Sequence, residues 1–408
     1  MNICVLTHTF PRNKKDVAAA FMKGFSDGLV QAGNKVVVVA PFDRAFRRSG
    51  DPFEIVTYKY IWPESLHLAG YSRAMEADVS LRKSSYFLVP FLVLFGTLAL
   101  LRTIKKEKID IINVHWILPN GLMAAIASKI TNVPFVVTLP GTDAYLAYRY
   151  KLFGLVAKWI AQSSNGITSN SSWHLNRILK LGVKDKQTDV ISYPTDVFAF
   201  KPAKTGYAEL RKKIGLESQN LVVLAVGRLV YKKGFNYLIK AISELTQKYP
   251  HLRLVIGGEG DLRDEWEKLS VRLGVDDKVF FVGTIGRDEI VHFYNLADIM
   301  VAPSVVDRLG NVDGGPVVSF ESMACGKPQV ATSVLGVADI IENNVNGFVV
   351  PQKDSEALAN ALEKLIKSKR LREKMGEANR RLIKSELNTK SIGEKYTKFF
   401  KQIVSGGQ

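Results

Sequence analysis

The sequence predicts an α/β chain folded as two Rossmann-like, doubly wound parallel-sheet domains, and three observations carry that reading. Short β-branched runs alternate with helical patterns, the alternation restarts once past residues 200–207, and 408 residues exceed what one core ordinarily holds.

The first block of runs is NICVLTH, KVVVVAP, IDIINVH, PFVVTLP, NGITSN and TDVISYP. Each is followed by a helical pattern, so each reads as a strand of a parallel sheet covered by helices on both faces. The second block is NLVVLAVGRL, LRLVIGGEG, KVFFVGTI, ADIMVAPS, PQVATS and GFVVPQ. The expected domains are therefore 1–200 and 201–385, with a last helix over 386–408. That helix, IGEKYTKFFKQIV, carries an apolar stripe at Ile392, Tyr396, Phe399, Phe400 and Ile403 and should pack back on the first domain. Ligands of such sheets bind outside the carboxyl ends of the strands, so motifs at those ends are read first.

The formal net charge of +17 calls for an anionic partner. No zinc-ligand spacing and no interleaved aromatic and basic run occurs, so nucleic acid is not the expected partner. Two cysteines, Cys4 and Cys325, offer no disulfide framework and fit a reducing compartment. The opening MNICVLTHTFPR lacks the pattern of a signal peptide and reads as a first strand.

The most apolar stretch, YFLVPFLVLFGTLALL from Tyr86 to Leu101, is shorter than the ~20 residues of a spanning helix. Arg82, Lys83, Arg102, Lys105, Lys106 and Lys108 flank it. Two readings stand: a helix lying in an anionic headgroup layer, with 82–108 as a membrane-proximal segment, or a buried core helix with solvated ends.

Two constellations carry chemistry. In VGRLVYKKGFNYLIKAI the strand ends at Gly227, Arg228 and Lys233 project from the loop, and Gly234 opens a helix. Two cations beside a helix N-terminus make a diphosphate cradle. In VDGGPVVSFESMACGKPQVA the carboxylates of Asp313 and Glu321 are separated by seven residues, one on the loop and one within the helix that Pro316 begins. A carboxylate accepts two hydroxyl hydrogen bonds at once, which suits a ribose diol or a sugar.

Together these elements resemble the family 4 retaining glycosyltransferases of the GT-B fold, over nearly the whole chain. The matching motifs are G-R-L-x-x-x-K-G at Gly227 to Gly234, G-G-x-G at Gly257 to Gly260, the acidic element ending in E-S-M-A-C-G, and N-G-F-V-V-P at Asn346 to Pro351. The resemblance implies two domains facing across a cleft and a UDP-sugar or GDP-sugar donor as substrate, with no cofactor and no metal. It implies that Arg228 and Lys233 hold the diphosphate, Glu321 the ribose and Asp313 the transferred sugar. The amides of Gly315 and Val317 would reach the distal phosphate, with Gly227, Gly258 and Gly260 also on the donor side. Hexosyl transfer with retention, to a glycan or lipid-linked acceptor in cell-surface polysaccharide or glycolipid biosynthesis, follows. The implied place is cytoplasmic, peripheral on the inner face of the cell membrane.

The sequence departs from that family twice. Asp313 stands where glutamate is usual, and Pro140 takes the histidine position of the usual H-G-x-D in VVTLPGTDAY. His115 or His8 would substitute, and Asp143 keeps its place as an acceptor-side or sugar-side contact. These departures motivate a second reading, a catalytically inactive scaffold or partner subunit at the membrane.

Overall fold

The computed structural model describes residues 1–13, 16, 19–68, 70–71, 87–203, 205–314 and 317–406, the side chains of 142–144 excepted. Arg82, Lys83, Tyr86 and Gly315, and the side chain of Asp143, lie outside the described residues.

The chain divides into two compact units, Met1–Pro194 with Thr389–Gln408, and Thr195–Asn388. The crossings lie a few residues from the expected 200 and 385 because Thr195 pairs with the segment at Asn388: its N–H donates to the Leu387 carbonyl at 2.9 Å.

The first unit begins with β1 (Asn2–Leu6), α1 (Ala20–Gln31), β2 (Lys35–Pro41), β3 (Glu54–Tyr58), α2 (Val89–Glu107) and β4 (Ile111–His115). It continues with α3 (Asn120–Thr131), β5 (Phe135–Leu139), α4 (Thr142–Arg149), α5 (Lys151–Ser163), β6 (Gly166–Ser169), α6 (Ser172–Leu179) and β7 (Gln187–Val190). All seven strands are parallel, in the order β3-β2-β1-β4-β5-β6-β7. Strand order reverses between β1 and β4, which opens a crevice at their carboxyl ends.

Side chains alternate across β4 and give each layer its partner. Ile112 and Val114 join Cys4, Leu6, Val37 and Val137 under α2, α3 and α5. On the other face, His115 meets Phe25 of α1. The last helix completes that layer. A Cβ on Gly166 would lie 2.9 Å from Ile403, and one on Gly393 would collide with the Gly28 carbonyl, so two helices cross there at a contact only glycine admits.

Helix α2 is buried on one side and exposed on the other. Leu92, Leu100 and Ile104 are buried on the sheet, each worth roughly 1.5–3 kcal/mol when fully removed from water. Phe91, Leu94, Phe95 and Leu98 on its other side are exposed. No helix among the described residues is long and apolar enough to cross a membrane.

The second unit holds α7 (Ala208–Lys213), β8 (Leu221–Val226), α8 (Phe235–Lys248), β9 (Leu252–Gly257), α9 (Arg263–Arg272), β10 (Val279–Phe281) and α10 (Ile290–Leu296). β11 (Ile299–Ala302), α11 (Val317–Ala324), β12 (Gln329–Thr332), β13 (Gly347–Val350), α12 (Ser355–Lys367) and α13 (Lys369–Glu386) follow, before α14 (Thr389–Gly406) returns to the first unit. Its six strands are also parallel, in the order β10-β9-β8-β11-β12-β13, with the reversal between β8 and β11. Asp354 and Ser368 cap α12 and α13 by accepting from Ala357 N–H at 2.8 Å and Leu371 N–H at 3.1 Å. Cys4 and Cys325 are free and buried.

Candidate functional site

At the carboxyl end of β8 the Gly227 N–H donates to the Gly257 carbonyl, and the Leu229 N–H to the Glu259 carbonyl, both at 2.9 Å. The loops after β8 and β9 therefore run backbone on backbone. A Cβ on Gly258 would collide with the Gly227 carbonyl, and one on Gly260 would lie 2.6 Å from the Leu229 carbonyl. The Gly258 N–H is itself taken by the Gly283 carbonyl at 2.7 Å. The absence of a side chain at Gly258 lets the two loops touch.

A single 3-10 turn, Tyr231–Lys233, leads through Gly234 (φ 67°) into α8. The loop after β11 is tied to this turn by Val305 N–H donating to the Lys232 carbonyl at 2.8 Å. Asp307 then shapes the loop, its Oδ1 accepting from Leu309 and Asn311 N–H at 2.8 Å each. That loop carries Asp313 to Lys233, and the two side chains form an ion pair, both largely shielded from water.

Lys232, which the sequence reading passed over, belongs to the same cluster. It is 9% exposed, and burial lowers its amine to about 8; the Asp313 carboxylate pulls it upward, and the charges of Arg228 and Lys233 push it further down. Arg228 is exposed. Three cations and one carboxylate are thus gathered at the switch point of the second sheet. The Lys232–Lys233 doublet was the available signal, but only packing reveals which of the two is buried.

Glu321 lies within α11. It is 2% exposed, because α11 is buried along residues 319–324. Its Oε2 accepts from the Tyr294 hydroxyl at 2.8 Å and its Oε1 from the Arg287 guanidinium, which lies over the Phe200 ring at 4.9 Å. Burial raises the carboxyl above the ordinary range, against the pull of Arg287 and Tyr294. A buried carboxylate needs such partners, and they come from α10 and the loop before it, far from the motif in sequence. Val317 opens α11 and is half-buried.

In the first unit the crevice between β1 and β4 is lined by His8, Trp116 and Asn120. Trp116 has φ 64° and lies 4.5 Å from the His8 ring, centroid to centroid. The Asn120 amide donates to the His115 carbonyl at 2.7 Å and to His8 Nδ1 at 3.1 Å. The carbonyl admits only the NH₂ side of that amide, so His8 Nδ1 accepts and its proton sits on Nε2. Burial lowers His8 to about 4 and His115 to about 3, and both rings are neutral at pH 7.

The two histidines part company here. His115 is wholly buried, between Phe25 and Tyr193, with Nδ1 3.0 Å from the Tyr193 hydroxyl. It serves the core rather than an open edge, a correction to its expected place facing a ligand. His8 is half-buried at the crevice. A third histidine, His174, packs where a Cβ on Gly141 would lie 3.0 Å from its Cε1, directly beside Pro140. No group of three His, Cys, Asp or Glu residues that could hold a metal occurs among the described residues.

Two Rossmann-like units, each with polar side chains gathered at its switch point, are the architecture of the GT-B glycosyltransferases. The family described as glycosyl transferases group 1 matches residues 207–382, and Glycosyltransferase Family 4 matches residues 18–197. The chain belongs to the family 4 glycosyltransferases of GT-B fold and is a sugar-transferring enzyme.

Among its relatives, an uncharacterised glycosyltransferase of Methanocaldococcus jannaschii is 26% identical over 387 residues, covering 91% of each chain. The alpha-D-kanosaminyltransferase of Streptomyces kanamyceticus is 29% identical over 288 residues, 68% of this chain and 72% of that one. Among solved structures, HepE of Anabaena in complex with UDP superposes with a TM-score of 0.74 at 20% identity, covering 98% of this chain and all of that one.

Proposed function

We propose that the chain is a retaining hexosyltransferase that takes a UDP-sugar or GDP-sugar and glycosylates a glycan or lipid-linked acceptor. Its place is cell-surface polysaccharide or glycolipid assembly, at the cytoplasmic side of a membrane. The observation that carries the donor chemistry is the Arg228, Lys232, Lys233 and Asp313 cluster at the β8/β11 switch point. Leaving-group charge is the main obstacle in sugar transfer from a diphosphate, and fixed cations at that oxygen address it directly.

In this reading the diphosphate draws Lys233 away from Asp313, and the released carboxylate accepts a hydroxyl of the transferred sugar. The bond from the anomeric carbon to the phosphate oxygen breaks as the acceptor oxygen bonds the same carbon on the same face. The acceptor proton passes to the departing phosphate. The ribose diol competes with Arg287 or Tyr294 for Glu321. Amides of Gly315 and Val317 serve the distal phosphate, and Asp143 and the His8 Nε2–H face the sugar or acceptor. No metal takes part.

Support comes from the UDP complex of HepE, whose fold this chain shares. The test is calorimetric titration with UDP, GDP, UDP-glucose, UDP-GlcNAc, UDP-galactose and GDP-mannose, followed by turnover of the sugar that binds. Binding by one base series, lost in Arg228→Ala, is expected; absence of binding by all six favours the inactive scaffold motivated by Pro140 and Asp313. Turnover that EDTA abolishes and magnesium restores overturns metal independence. The anomeric proton coupling of the product tests retention.

A further inference from the structure

Helices α2, α3 and α5 lie side by side on one face of the first sheet, since residues from all three share one core with Cys4, Val37, Val114 and Val137. Each buries its inner side there, so the opposite sides face outward together. These outer sides are apolar. On α2, Phe91 and Leu94 are 49% and 54% exposed, with Phe95 and Leu98 beside them. On α3 the exposed pair is Ile126 and Ile130. On α5, Leu152, Leu155 and Trp159 recur at helical spacing, and Leu155 is 66% exposed. An outward apolar face that crosses three neighbouring helices is rare on a soluble monomer and marks an interaction surface.

Charge identifies the occupant. The same three helices carry Arg102, Lys105, Lys106, Lys129, Lys151 and Lys158, all exposed, and a single acid, Glu107. That acid is already held by Lys35 at 2.8 Å and Lys106 at 2.9 Å, and Lys106 also reaches Glu54 at 3.3 Å. Protein interfaces are poor in lysine, whereas apolar rows edged by lysine and arginine, with a tryptophan among them, fit the boundary between acyl chains and anionic headgroups.

We infer that this three-helix face docks flat on an anionic lipid bilayer, with the rows of α2, α3 and α5 in the acyl boundary and the six cations at the headgroups. The inference rests on the membrane-proximal acceptor of the proposed function and names the surface that meets the membrane. It does not depend on the donor cluster, which lies in the other unit.

The test is co-sedimentation of the full chain, without nucleotide, with vesicles of phosphatidylcholine alone or mixed with phosphatidylglycerol. Binding to the mixed vesicles, weakened by salt, is expected. Phe91→Asp with Leu94→Asp, and separately Leu155→Asp with Trp159→Asp, should each lower partitioning at least tenfold while circular dichroism and nucleotide binding stay as in the parent. Arg102→Ala should lower it about fivefold on the anionic vesicles and leave the neutral ones unchanged. Parent-like partitioning of both aspartate pairs, or no binding of the parent, overturns the inference and leaves a nucleotide-binding transferase intact. A dimer in solution that the same substitutions dissociate also overturns it, because a second copy then covers the face. Vesicle binding with no nucleotide binding overturns the donor reading alone.

Discussion

Lys233 and Asp313 stand 80 positions apart in the chain and meet as an ion pair at the carboxyl edge of the second sheet. In the proposed reaction the pair must open, and its two halves then do different work. Lys233→Ala should weaken nucleotide binding about tenfold to a hundredfold, the range of a charge-assisted hydrogen bond. Asp313→Ala should leave that affinity equal or higher, because the ammonium is no longer competed for, yet lower turnover at least a hundredfold. Calorimetry beside initial rates separates them, and equal losses of affinity in both variants would refute the division of labour.

Lys232 links stability to binding through pH. Its amine is lowered to about 8 from an ordinary 10.5, so between those values the unfolded chain holds more proton than the folded one. Stability from this group therefore rises as pH climbs from about 8 to 10.5, and at pH 7 the buried charge is a cost on the order of 1–3 kcal/mol. Lys232→Met should raise the urea midpoint at pH 7, erase the gain at alkaline pH and weaken nucleotide binding. A lowered midpoint at pH 7 would contradict the assignment.

Glu321 gives a gradient of opposite sign. Its folded carboxyl is raised above its ordinary value of 4.5, so its contribution is full below that value and is lost as pH rises through the folded one. Arg287 limits the loss. Arg287→Ala should therefore unfold at nearly the parent's urea midpoint near pH 4.5 and fall progressively behind towards pH 7, by about 1–3 kcal/mol given the partial exposure of the guanidinium. A gap that does not change with pH would mean that Glu321 is not the group Arg287 neutralises.

The two histidines of the first unit should separate in mutation. His8→Ala is expected to lower turnover about 10- to 100-fold with nucleotide affinity unchanged. Since burial holds this ring near 4, the parent's rate should show no histidine arm between pH 5 and 8. His115→Ala should instead lower thermal stability by about 2–4 kcal/mol, the loss of a packed buried ring. A His8→Ala enzyme with parental turnover would remove His8 from the reaction.

The sequence by itself determined the parallel strands, the restart of the alternation and the loops that carry Arg228, Lys233 and Asp313. Those features follow from short-range rules: β-branched runs, turn residues, and cations placed between a strand end and a helix start. Packing alone decided the rest. It buried Glu321 beneath Arg287 and Tyr294, sank Lys232 beside Asp313, withdrew His115 into the core and left His8 at the edge. It also turned one side of α2 to the sheet and the other outward, where periodicity had offered two readings. The physical reason is that spacing along a chain sets which residues share an element, whereas burial and partners depend on distant segments that only the folded sheet brings alongside.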